Sequence, residues 1–182
     1  NADFCQCDIT LNEPNDWRWY GQAVICIDMM QHIKPEDFDR VFEKMMKDVG
    51  WKGGEAWCMY FVKSIYLQAF PGKTSEINKV LTGSTQQSWK IALANPSLFR
   101  VITSGTPRKG DIIIWQSTTN PANGHAGIVL KNAGNDYYDT VEGNSGLGGT
   151  REGQGVTTHK RYLVPGYVDS GLRLLGFIRL KL

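Results

Sequence analysis

Several things are scarce in this chain, and each scarcity excludes a class of protein. No apolar run approaches the roughly 18 residues that a membrane-spanning helix needs, so no membrane span is expected. The net charge is only +2, too small and too dispersed for a nucleic-acid surface. Four cysteines at irregular spacing, Cys5, Cys7, Cys26 and Cys58, do not form a disulfide framework in a chain of 182 residues. Cys5-Gln-Cys7 lacks the two-residue gap of a zinc knuckle, and the three histidines are scattered, so no metal pattern follows it. A disulfide from Cys26 to Cys5 or Cys7 stays open if the protein is exported. The chain begins at Asn1 with neither a methionine nor a signal-like apolar segment, as expected if a leader has been removed by processing or in preparing the protein.

A hydrophobic content of 41% with six tryptophans implies one soluble, globular core. Charge is unevenly spread: up to Trp57 there are eleven acids and six bases, and beyond it seven acids and fourteen bases. The basic C-terminal part suits an anionic polymer, or simply a solvated surface.

Residues 1–20 have no period and end in Trp17-Arg18-Trp19-Tyr20, an arm whose aromatics either pack onto the core or stack on a sugar. Ala23 to Ile27 is a short apolar run that leans towards strand. Pro35 to Met46 carries proline and acids in its first turn and Phe38, Val41, Phe42 and Met45 at helical spacing, which predicts an amphipathic helix ending near Gly50. A second helix is expected from about Glu55 to Ala69, apolar on more than one face and therefore interior. Proline at 71 stops it. Shorter helices are expected at 76–81 and 84–95.

From Phe99 the pattern becomes extended. Strands are expected at Asp111 to Trp115, Gly124 to Leu130, Asp136 to Glu142, Val156 to Leu163 and Leu172 to Leu180, together an antiparallel meander. A glycine-rich rim loop lies before Gly155.

The chemistry centres on Gly53-Gly54-Glu55-Ala56-Trp57-Cys58, a glycine loop running into a helix with a thiol in its first turn. The exposed N–H groups and dipole of a helix start favour an anion, so this is where a nucleophilic cysteine would be placed. An isolated cysteine in an apolar helix is otherwise a core residue. Other residues must decide. If residues 132–135 form a four-residue loop, Lys131 pairs with Asp136 and His125 falls directly opposite Glu142, on the same face; a one-residue slip would separate them. Cysteine, histidine and carboxylate are the three parts of cysteine-nucleophile acyl transfer. Of the other histidines, His32 and His159 are expected at the surface, and Asp111 as an acid at a strand start.

Trp57-Cys58 followed by Phe61, Gly110-Asp111-Ile112 with Trp115, Gly124-His125-Ala126-Gly127-Ile128-Val129, Glu142-Gly143-Asn144 and Gly176-Phe177-Ile178-Arg179 together resemble the CHAP family, cysteine- and histidine-dependent amidohydrolase/peptidases of the papain-like, NlpC-type superfamily. The resemblance implies an α+β papain-like fold, N-terminal helices on an antiparallel sheet, with residues 1–34 an extension and 35–182 the catalytic domain. It implies Cys58 as nucleophile, His125 as general base and acid, Glu142 as orienting group and Asn144 as an auxiliary polar residue. Glu142, accepting from Nδ1 of the ring, and Asn144 both remain candidates to orient the histidine. Some family members bind calcium in the loop before the cysteine; residues 48–55 hold too few carboxylates for that, so no metal or other cofactor is expected. The implied substrate is peptidoglycan, cut at an amide bond through a thioester, by a monomer that is secreted or periplasmic, in the cell envelope. An immunity or inhibitor protein is an expected partner if the enzyme is a delivered toxin. The alternative is a non-catalytic wall-binding module on the same fold.

Overall fold

The computed structural model describes residues 35–146 and 155–181. The aromatic arm, the strand expected around Ala23 to Ile27, Cys5, Cys7, Cys26 and His32 lie outside the described residues. Helix α1 (Pro35–Asp48) is closed by Gly50, whose left-handed φ of 102° turns the chain back so that the Trp51 N–H reaches the Met46 carbonyl at 3.0 Å. Its exposed Glu43–Lys47 and Lys44–Asp48 ion pairs have i,i+4 spacing and contribute a few tenths of a kcal/mol each. Met46 enters the core, and Phe42 meets Trp57 edge-on, with ring centroids 4.5 Å apart.

Helix α2 (Cys58–Ala69) starts three residues later than the sequence pattern predicts. Gly53 and Gly54 both take positive φ, and the Trp51 indole N–H donates to the Glu55 carbonyl at 3.0 Å, so the chain stays looped until Trp57. Cys58 thereby becomes the first helical residue. The helix is interior, as expected: Phe61, Val62 and Ile65 are fully buried, each side chain worth about 1.5–3 kcal/mol of transfer free energy. A short 3₁₀ turn (Pro71–Lys73) leads into α3 (Thr74–Val80), and α4 (Thr85–Ala94) is capped by Ser84, whose hydroxyl accepts from the Gln87 N–H at 3.3 Å.

The strands are β1 (Phe99–Ile102), β2 (Ile112–Ser117), β3 (Gly124–Gly134), β4 (Tyr137–Ser145), β5 (Gly155–Tyr162), β6 (Val168–Asp169) and β7 (Leu172–Leu180). They form one seven-stranded antiparallel sheet in the order β1-β7-β2-β3-β4-β5, with β6 on β7. The helices precede the sheet in the chain, which is the α+β arrangement predicted. Ile112, Ile114, Ala126, Ile128 and Val141 pack with α2, while Ile113, Trp115, Val129, Tyr138 and Phe177 form a second cluster. This is the period-two alternation of strands buried on both faces.

The β3–β4 hairpin corrects the expected register. The turn is not four residues long: Gly134 pairs with Tyr137, and Asn135 and Asp136 alone make the turn, with φ of 53° and 61°. Two irregularities then shift the pairing, so that Ile128 faces Val141. Continued along the strands, that register sets Glu142 opposite Gly127 and Asn144 opposite His125. The offset from the expected pairing is two residues, which leaves Glu142 and His125 on one face as diagonal neighbours.

Gly143 is the point where α2 rests on β4. A Cβ there would stand 2.6 Å from the Phe61 Cβ and 2.7 Å from Trp57 Cζ3. Gly143→Ala is expected to lower stability by about 1–3 kcal/mol through overpacking. A thermal melt checks it, and an unchanged midpoint would mean that α2 can lift off the sheet freely.

Candidate functional site

Three elements bring the chemistry together. Cys58 opens α2, His125 is the second residue of β3, and Glu142 lies on β4. All three are buried. His125 Nε2 and Glu142 Oε2 are 3.0 Å apart, and the Cys58 side chain acts on the same imidazole, favouring its protonated form. The carboxylate takes Nε2, which leaves Nδ1 for the thiol; the expectation that Glu142 would accept from Nδ1 is corrected on this point.

Glycines make the approach feasible. At Gly127 a Cβ would lie 2.7 Å from the Glu142 Cγ, so any other residue would push the carboxylate away from the ring. At Gly124 a Cβ would lie 2.1 Å from the Trp115 carbonyl oxygen, which accepts a hydrogen bond from Gln86 Nε2 at 2.9 Å. Gln86 therefore anchors α4 to the strand pair at the Trp115–His125 register position. The Trp115 indole stacks on the imidazole, with centroids 5.7 Å apart.

The sequence reading did not single out Arg161 or Thr140. Arg161 grips Glu142 with a two-pronged contact, Nε to Oε1 at 2.9 Å and Nη2 to Oε2 at 2.7 Å, and Thr140 Oγ1 donates to Oε1 at 2.7 Å. The alternation of β4 would have found Thr140, two residues before Glu142 on the same face. Arg161 sits on β5, beyond a glycine-rich stretch, and no local spacing links it to Glu142.

Asn144 lies at the β4–β5 irregularity between Glu142 and Ser145, half-buried, with a left-handed φ of 56°. The bond to Nε2 of His125 goes to Glu142. His159, expected at the surface, is instead half-buried, with Nε2 2.7 Å from the Ser145 hydroxyl. Burial holds its pKa down, with Arg161 and His125 acting in the same direction. Asp111 has the predicted structural place at a strand start: it is buried, bound by both Arg179 Nε (2.6 Å) and Nη2 (2.7 Å), and accepts from the Arg108 N–H at 2.7 Å. Glu55, the acid in the loop before Cys58, accepts from the Tyr60 hydroxyl at 3.0 Å. Among the described residues no group of three or more His, Cys, Asp and Glu side chains is arranged to hold a metal ion.

Burial alone would favour neutral His125, but the contacts with Cys58 and Glu142 outweigh it and raise its pKa from 6.5 to about 9. Burial likewise opposes charge on Glu142, and the Arg161 and His125 contacts outweigh that too, holding its pKa well below 4.5. Each shift carries a pH dependence of stability. The His125 contribution is complete below the ordinary value of 6.5 and is lost as pH rises through about 9. That of Glu142 is complete above 4.5 and is lost as pH falls towards its depressed value. The melting temperature is therefore expected to peak between pH 4.5 and 6.5 and to fall from 6.5 towards 9. A rise over that upper interval, at constant ionic strength, would contradict the ion-paired description.

An α+β domain with a helix-start cysteine sharing a buried imidazole with a carboxylate has the arrangement of papain-like cysteine proteins. The sequence matches the CHAP domain over residues 50–144, just over half of the chain, and the protein belongs to that family, whose members are generally cell-wall amidases and peptidases. A comparison with curated proteins finds no match. Among the described residues no helix is long and apolar enough to cross a membrane.

Proposed function

We propose that the protein is a cysteine-dependent amidohydrolase or endopeptidase that cuts an amide bond of peptidoglycan through a thioester acyl-enzyme. The observation that supports this reading most directly is the buried His125 imidazole, 3.0 Å from Glu142 and held towards its protonated form by Cys58 and Glu142 together. The pKa of about 9 on His125 means that near neutral pH the imidazole holds a proton, and the sulfur facing it acts as the nucleophile.

The thiolate attacks the carbonyl carbon, and the charge that develops on oxygen is met by the Cys58 backbone N–H, at a helix position with no intrahelical partner. The C–N bond breaks as His125 gives its proton to the leaving amine, leaving a thioester. Water then loses a proton to His125 and attacks the thioester, which releases the acid and restores the thiol pair. Glu142 holds the ring with Nδ1 towards sulfur. Asn144 serves as an auxiliary polar group at the same strand end. The substrate places the protein outside the cytoplasmic membrane, secreted or in the envelope.

Digestion of purified sacculi tests the reading. New amines without new reducing ends, absent with Cys58→Ala, are expected; release of neither would leave wall binding as the activity, and reducing ends would indicate a glycosidase.

A further inference from the structure

Glu142 is fully buried, and its two oxygens are occupied by four donors: Thr140 Oγ1 and Arg161 Nε on Oε1, and Arg161 Nη2 and His125 Nε2 on Oε2. A carboxylate has about four lone-pair sites, so this one is saturated and has no rotational freedom left. Arg161 supplies half of those donors. Its guanidinium also lies over the Trp115 ring, 5.9 Å from the centroid, while the same indole stacks on His125. One indole thus contacts both of the cations that flank the carboxylate. Groups of opposite charge alternate across the strands: His125 from β3, Glu142 from β4 and Arg161 from β5. His159 on β5 adds a neutral imidazole, and Asp169 on β6 acts on Arg161 from the other direction.

A lone buried carboxylate on Nε2 would raise the basicity of Nδ1 strongly, yet Nδ1 has to give its proton to the leaving amine in every cycle. We propose that Arg161 is a positioning residue that neutralises Glu142, so that the carboxylate fixes the His125 ring without making Nδ1 too basic to give up its proton. This rests on the reading of Cys58 and His125 as the reacting pair, but the consequence for His125 exists without any substrate. A guanidinium is suited to the task because its rigid fork fixes both oxygens at once, which an ammonium cannot do.

The test uses the full chain, with Arg161→Met, Arg161→Lys and Glu142→Gln. Two readouts are taken: the pH profile of kcat/KM on sacculi, and an NMR titration of the His125 ring nitrogens. Losing a nearby cation should move the His125 titration and the basic limb up by about one pH unit in Arg161→Met, with kcat down roughly tenfold or more and KM nearly unchanged. Glu142→Gln should move both in the opposite direction. Arg161→Lys keeps the charge but not the fork, so its titration should stay near the parent's while kcat remains low. A folded Arg161→Met protein whose His125 titration stays put or falls would overturn the inference. If Arg161→Met does not fold, parent-like kcat in Arg161→Lys overturns it. Should the parent protein release no amines while the ring titration shifts as stated, the amidase reading fails and the Arg161 assignment stands.

Discussion

Glu142→Gln is expected to lower kcat by roughly 10²–10⁴-fold, because the amide can keep the shape of the side chain but not the charge that stabilises imidazolium during the reaction. Removing that anion lowers the His125 pKa from about 9, so the basic limb of the pH–rate profile shifts to lower pH. Folding stability should suffer as well. The substitution removes the buried Glu142 charge from the Arg161 guanidinium, which is only 16% exposed, and breaking a buried pair from one side costs about 3–5 kcal/mol. The double variant Glu142→Gln/Arg161→Met should recover part of that loss, since neither charge is then stranded. Melting curves and kcat on the three variants check both statements. An Asn144→Ala protein more impaired in kcat than Glu142→Gln would transfer the orienting role to Asn144.

Cys58→Ala is expected to reduce kcat/KM by roughly 10⁵–10⁶-fold, since Cys58 is the only thiol among the described residues and the acyl intermediate forms on it. The change removes one buried sulfur at a helix start, so the fold should survive with a small shift in melting temperature. Iodoacetamide should inactivate the parent protein in step with labelling of Cys58, read by peptide mass spectrometry. Inactivation that followed labelling of Cys5, Cys7 or Cys26 instead would remove Cys58 from the mechanism.

The helix-start cysteine, the histidine strand and the carboxylate strand were all legible in the sequence, because each is a local pattern: a glycine loop before an apolar helix, and alternation in a β-branched run. The hairpin shows how far such reading extends. The expected four-residue loop and the observed two-residue turn with two irregularities give pairings offset by an even number of residues. Either irregularity alone would have turned Glu142 to the face opposite His125. Face was legible from alternation; the diagonal partnership was not, because it depends on bulges that no residue type announces. Gly127 and Gly143 appeared in the sequence only as parts of a motif. Their reason is clearance, towards Glu142 in one case and towards Phe61 and Trp57 in the other, and it exists only after packing. Arg161 was hidden for a related cause: β5 joins the site through sheet pairing, not through sequence proximity to Glu142.

Strand β7 comes last among the described elements, yet it lies inside the sheet, hydrogen-bonded to β1 on one edge and to β2 on the other. Through β2 it supports Trp115 and the start of β3. During synthesis, then, a nascent chain already carrying Cys58, His125 and Glu142 would still have an open sheet, with a gap between β1 and β2. Those two strands cannot be joined until residues through Leu180 have emerged from the ribosome. The order of the strands therefore ties completion of the sheet that carries His125 and Glu142 to translation past the end of β7.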